Sequence, residues 1–143
     1  PHANLRYTKK YLTHVQNAYR NENFYDFALV DKESGRMIGT CGFTSFDLQN
    51  NSAEIGYVLH PEFWGKGLAK EAVFRLMAFG FAELRLHRLS AKIMTNNTAS
   101  KRVAEKCGLK PIKNTVHETR FGTKEPTVCT IIYNKKITFG VRI

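Results

Sequence analysis

Cysteine, proline, tryptophan and acidic residues are all scarce in this chain. Its 143 residues hold three cysteines, four prolines, one tryptophan, and 12 Asp plus Glu against 22 Lys plus Arg. Cys41, Cys107 and Cys129 form an odd, widely spaced set, which argues against a disulfide framework and against a zinc site. A reducing interior is the simpler setting, so a cytoplasmic location is expected. No apolar run approaches the roughly 20 residues that span a bilayer, so no membrane partner is expected. The sequence opens at Pro1 without a signal-peptide pattern. The sequons at Asn50 and Asn96 carry no weight in such a compartment. The shortage of acid leaves a net charge of +10, which favours anionic partners. Its densest groupings are Lys9-Lys10, Lys101-Arg102 and Lys135-Lys136; no basic block and no aromatic-basic RNA motif appears.

What is plentiful is apolar and aromatic, at 43% and 12%, which argues against disorder and fits one domain over 1–143. Leu12, Val15, Ala18 and Tyr19 recur at helical spacing within 7–21. Residues 24–31 and 37–46 read as strands of a hairpin around a turn at Glu33–Arg36. In 52–59, Ile55, Tyr57 and Leu59 alternate with Glu54, Gly56 and Val58. A helix from Leu68 carries Ala69, Ala72, Val73, Leu76, Met77 and Gly80 as its apolar stripe. Residues 88–95 read as a strand. The next helix is capped by Asn97 or Thr98, faces inward with Val103, Ala104 and Cys107, and stops at Gly108. Strands near 112–121 and 127–135 flank a turn at Gly122–Pro126. The order predicts an α/β layer with a mixed sheet.

The informative stretch is 54–69, where a strand enters a glycine turn that opens directly into a helix. Gly65 and Gly67 allow close approach to the main chain, and the first amides of the helix face whatever binds there. Lys66 adds charge. The pattern fails the P-loop, because no glycine lies five residues before Gly65 and Gly67 follows Lys66. It fails the dinucleotide fingerprint and the kinase loop, because Lys70 stands where a third glycine is needed. NTP hydrolysis and hydride transfer are therefore disfavoured. Taken alone, Gly-x-Gly is better read as an ordinary turn.

It does not stand alone. Glu62-Phe63-Trp64-Gly65-Lys66-Gly67 resembles the acetyl-CoA loop of the GNAT superfamily of N-acetyltransferases, Gln/Arg-x-x-Gly-x-Gly/Ala, with Glu62 departing at the first position. The longer string from Ala53 through Leu68-Ala69 to Glu71-Ala72 is similar to the RimJ/RimL branch. So is the second motif, Asn97-Thr98-Ala99-Ser100 followed by Glu105-Lys106-Cys107-Gly108-Leu109. The resemblance covers essentially the whole chain. It implies a GNAT acyl-CoA N-acyltransferase-like fold, a mixed, mostly antiparallel sheet flanked by helices. The family pattern also has a strand and a helix ahead of the helix at 7–21; the expected fold is the family's with these missing, which weakens inference about the acceptor side.

The resemblance further implies acetyl-CoA as cosubstrate, with no metal. Pantetheine would pair with main-chain groups of Tyr57, Val58 and Leu59, and the pyrophosphate would sit on Gly65, Lys66, Gly67, Leu68 and Ala69. Asn97 would bond the pantetheine arm and Lys101 the 3′-phosphate. Glu54 matches the branch carboxylate that acts as a base through water; its alternative is a strand-surface salt bridge. Many relatives place a tyrosine acid four residues before the glycine after the last helix. Here that residue is Ala104, so Ser100 is the candidate donor or sulfur partner. The acceptor is a primary amine, which must be neutral to attack. An α-amino group sits about 2.5 pKa units below lysine, which makes the lysine proton roughly 3.4 kcal/mol harder to remove. A protein N-terminus, that of a ribosomal protein for instance, is thus favoured. The alternatives are a small amine (polyamine, amino acid or antibiotic), a non-catalytic acyl-CoA-binding regulatory module, or a nucleic-acid-binding domain. A monomer or homodimer is expected.

Overall fold

The alternation read at 52–59 sets the centre of a six-stranded sheet. The computed structural model describes residues 4–20, 25–118 and 122–134. Helix α1 spans Leu5–Arg20. It is followed by β1 (Tyr25–Val30), β2 (Met37–Asp47), β3 (Ser52–Leu59), a 3₁₀ turn (Pro61–Phe63), α2 (Leu68–Ala82), β4 (Arg88–Met94), α3 (Thr98–Lys106), β5 (Lys110–Glu118) and β6 (Lys124–Tyr133). The strand order is β1-β2-β3-β4-β6-β5. Every neighbouring pair is antiparallel except β3 and β4, which are parallel and joined by the α2 crossover. The expected mixed, mostly antiparallel α/β fold is what forms.

The core lies between the sheet and its helices. Val73, Leu76 and Met77 of α2 and Ala104 and Cys107 around α3 cluster with Cys41, Phe43, Ile55, Leu89, Ala91, Ile93 and Leu109. Leu89 and Val73 are almost wholly buried, each worth about 1.5–3 kcal/mol of transfer free energy. Ala69 and Ala72, at the edge of the predicted α2 stripe, are only half-buried. Leu12 of α1 is 53% exposed and Leu5 more so, while Val15 and Ala18 are half-buried. Periodicity marks the apolar face of a helix; it does not say whether a partner covers that face.

Two predicted boundaries move. β5 begins at Lys110, with a register shift between Pro111 and Lys113 that gives Ile112 no opposite residue; an edge strand tolerates proline beside such a bulge. β6 begins at Lys124, so most of the predicted turn at Gly122–Pro126 is strand. Pro126 stands just past the last β4–β6 pair, Met94↔Thr127, where its carbonyl accepts from the Thr95 N–H at 3.0 Å and its missing N–H coincides with the end of the ladder. Asn21, Phe24, residues 119–121 and Lys135, at the ends of predicted elements, lie outside the described residues, as does Lys136.

Candidate functional site

β3 and β4 share only three residue pairs, Ser52↔Arg88, Ala53↔Leu89 and Glu54↔Ser90. Beyond Glu54, β3 runs on to Leu59 alongside β2, and β4 runs on to Met94 alongside β6. The two strands part, and a gap opens in mid-sheet. Which groups face it follows from the ladder. The His60 N–H donates to the Ile38 carbonyl at 2.7 Å, and pairing alternates from there. Val58 exchanges bonds with Thr40, and Gly56 with Gly42. Tyr57 and Leu59 turn their N–H and C=O toward the gap. Of the three residues expected to offer main-chain groups, Tyr57 and Leu59 do so, whereas those of Val58 are used by Thr40. The Leu59 carbonyl accepts a 2.7 Å hydrogen bond from the Trp64 indole N–H.

The mouth of the gap is the glycine turn. Gly65 and Gly67 have φ of 73° and 77°, a left-handed backbone that favours glycine. A Cβ at either would meet nothing within 4 Å, so space is open above both. Gly67 is the N-cap of α2 and offers no side-chain cap; the first helical bond is from the Glu71 N–H to the Gly67 carbonyl at 3.0 Å. The N–H groups of Leu68, Ala69 and Lys70 therefore have no acceptor within the helix, and the dipole stands behind them. These features fit an anionic, phosphate-bearing group. Lys66 lies over the Phe63 ring at 5.2 Å, with the Arg36 guanidinium also 5.9 Å from that ring's centre. Glu62 is flanked by Arg36 at 3.4 Å and His60 at 3.5 Å, so its carboxylate does not face the turn uncompensated.

α3 supplies the far wall. Asn97 is its N-cap, the Oδ1 accepting from the Ser100 N–H at 3.0 Å, which leaves Nδ2 as the half of the amide the cap does not use. Lys101 Nζ donates to the Thr95 carbonyl at 2.6 Å, so its charge is held at the β4–α3 turn. The Tyr57 hydroxyl donates to the Ser100 carbonyl at 3.0 Å and ties β3 to α3 across the gap; burial pushes that phenol up. Glu54 projects from the face of β3 opposite the Tyr57 side chain. There Lys92 Nζ lies 2.9 Å from its Oε2, and the hydrogen bond and charge of Glu54 push the Lys92 ammonium up. Glu54 and Ser100 thus approach the gap from opposite faces of the sheet.

Among the described residues, no three His, Cys, Asp or Glu side chains are grouped to hold a metal ion, and no helix is long and apolar enough to cross a membrane. Cys41 and Cys107 are buried, and burial pushes the Cys41 thiol up to about 12. Neither offers a thiolate. Sequence reasoning missed the Tyr57 hydroxyl and the Trp64 indole as polar contacts; it offered Glu54 a strand-surface salt bridge, which Lys92 supplies, without naming that partner. Only Lys92 left a trace, at the same parity as Ser90, which the parallel register sets beside Glu54.

Residues 1–110 match the family model described as the acetyltransferase (GNAT) domain. The chain belongs to the GNAT family. Among its relatives is the uncharacterized N-acetyltransferase p20 of Bacillus licheniformis, 49% identical over 74 residues, covering 52% of this chain and 42% of that protein. The chain spans about half the length of the first curated relatives it matches, with 42%, 51% and 55% of them covered. The ribosomal-protein-S5-alanine acetyltransferase of Vibrio fischeri superposes with a TM-score of 0.79 at 23% identity, over 91% of this chain and 72% of that one. Mutant forms of the spermidine/spermine N-acetyltransferase SpeG of Vibrio cholerae superpose at 0.78 and 20% identity, over 94% of this chain and 81% of that one. At those identities the likeness is one of fold. The GNAT fold seen here is thus shared with a ribosomal-protein-S5-alanine acetyltransferase and a spermidine/spermine N-acetyltransferase alike.

Proposed function

We propose that this GNAT chain is an acetyl-CoA-dependent N-acetyltransferase, acting as a single domain over 1–143, which passes the acetyl group directly to a primary amine. The observation that carries this reading is the gap after Glu54↔Ser90, lined by main-chain groups of Tyr57 and Leu59 and ending at the uncapped amides of α2. Bound acetyl-CoA would supply an acyl group already activated as a thioester. The Tyr57 N–H and C=O and the Leu59 N–H offer an extended amide chain the bonds of an added strand. The amides from Gly65 to Ala69, with Lys66, hold a pyrophosphate. Asn97 Nδ2 reaches the arm between them, and Lys101 is assigned to the 3′-phosphate once it leaves the Thr95 carbonyl. Glu54 takes the proton of the attacking amine through water, and Ser100, from the opposite face, donates to or bonds the departing sulfur.

The favoured acceptor is a protein N-terminal amine, whose lower pKa leaves more of it neutral. The +10 net charge favours an acceptor embedded in an anionic assembly, as a ribosomal protein is. A cytoplasmic monomer or homodimer suits that role. The test is thiol release from acetyl-CoA against N-terminal peptides beginning Ala, Ser and Met, polyamines, amino acids and aminoglycosides. Turnover on the peptides, lowered at least about a hundredfold in Glu54→Gln, is expected; equal turnover on spermidine overturns the acceptor assignment. A regulatory acyl-CoA-binding module is the second reading, favoured by the Lys92 grip on Glu54 and by Ala104 where many relatives carry a tyrosine. It predicts cofactor binding without turnover on any amine.

A further inference from the structure

Trp64 is the chain's only tryptophan, and its side chain is not in the core: the residue is 62% exposed. Its position is nevertheless fixed twice. The main-chain N–H donates to the Pro61 carbonyl at 3.1 Å, and the indole N–H donates to the Leu59 carbonyl at 2.7 Å. That carbonyl is the last of those β3 turns toward the gap, and the next residue after Trp64 is Gly65, where the phosphate-binding turn begins. One side chain thus joins the end of the open strand edge to the start of the amide nest. We propose that Trp64 is a positioning residue that sets the register of the bound arm. By engaging the last carbonyl, it favours the Tyr57 N–H, the Tyr57 C=O and the Leu59 N–H as the groups an amide-bearing ligand uses. It also holds that short row in fixed relation to the amides of Gly65–Ala69. A ligand displaced by two residues along β3 finds its donor competing with the indole, so one alignment of arm and pyrophosphate is selected.

The inference rests on the acetyl-CoA reading and extends it to specificity: the site requires both parts of the ligand, an amide-containing arm and a phosphate terminus, at one spacing. The test compares Trp64→Phe, which keeps a ring and removes the donor, with the unaltered chain. Calorimetry measures CoA and adenosine 3′,5′-bisphosphate, which lacks the arm. The bond lies within the protein, so its removal acts through the register it fixes and is expected to weaken CoA binding several-fold, up to roughly tenfold, the worth of one neutral hydrogen bond, with bisphosphate binding unchanged. The KM for acetyl-CoA should rise by a similar factor with kcat unchanged. Equal CoA affinity in the variant overturns the proposal. So does an equal loss for both ligands, which would make Trp64 a scaffold of the phosphate turn alone. If the unaltered chain binds neither ligand, the acetyl-CoA reading itself falls, and this inference with it.

Discussion

Lys92 Nζ stands 2.9 Å from Glu54 Oε2, joining β4 to β3 at the point where the two strands separate. The pair lets the base assignment be tested against a purely structural role. Glu54→Gln is expected to lower kcat about 10²–10⁴-fold, as removal of a general base does. Lys92→Met removes the partner and leaves the carboxylate, so its kcat should stay within about tenfold of the unaltered chain's. Steady-state rates on the best acceptor decide. Equal losses in the two variants would mean that the ion pair, and not proton transfer, is what matters.

The same pair has a pH signature. Glu54 raises the Lys92 pKa above its ordinary 10.5 in the folded chain. Its contribution to stability is then fully present below 10.5 and is lost as pH rises through the higher folded value. The Lys92 side chain is 45% exposed, so the contribution is small. The difference in melting temperature between the unaltered chain and Lys92→Met should be flat from pH 7 to about 9 and shrink above about 10.5. A difference that grows with pH would contradict the pairing.

Asn97 has two separable tasks. Asp caps a helix about as well as Asn, while Ala in its place costs about 1 kcal/mol. Asn97→Asp keeps the oxygen that accepts from the Ser100 N–H but loses the Nδ2 donor. Its melting temperature should match that of the unaltered chain while its CoA affinity falls. Asn97→Ala should lose both. Thermal melts and calorimetry on the two variants separate cap from ligand contact.

Gly67→Ala forces a side chain into φ 77°, a strain of about 1–2 kcal/mol, and sets a methyl group in the open space above the turn. Gly35→Ala imposes a like strain at φ 68° in the β1–β2 turn. Both should melt earlier by similar amounts. Only Gly67→Ala should raise the KM for acetyl-CoA, by roughly tenfold or more if one amide contact is lost. A KM unchanged in Gly67→Ala would remove α2 from the binding site.

Burial places the Cys41 thiol at about 12, and Cys107 is buried beside the core as well. In the folded chain a disulfide reagent at pH 8 should label Cys129 first and leave Cys41 unmodified until denaturant is added. Prompt labelling of Cys41 would mean that the β2–α2 packing opens.

Much of this was legible in the sequence. The alternation at 52–59, the glycines at 65 and 67 and the stripe of α2 each follow from one local rule, and each sits where the rule puts it. The Asn97 cap did too, though Thr98 was an equal candidate. The misses are non-local. That Val58 gives its main-chain groups to Thr40 depends on which residues of two strands form hydrogen-bonded pairs, a parity no single strand encodes. The bond between Trp64 and Leu59 depends on the path of a 3₁₀ turn. A salt bridge on Glu54 was among the sequence readings, but its partner Lys92 depends on a parallel register fixed by a crossover of about thirty residues. Pro126 read as a turn residue because its tolerance in β6 depends on where β4 ends.

Three residue pairs are a narrow hinge for a sheet of six strands. On one side β1, β2 and β3 form a continuous antiparallel plate; on the other β4, β6 and β5 form a second. The plates are held by the Ser52–Glu54 seam, by α2 and α3 packed over one face, and by single bonds such as that of Tyr57 to Ser100. A molecule lying along β3 as an extra strand would splint that hinge. Folding free energy would then rise with ligand concentration, by about 2.7 kcal/mol at one hundred times the dissociation constant. On the proposed function, the chain's resistance to heat would become a gauge of how much acetyl-CoA surrounds it.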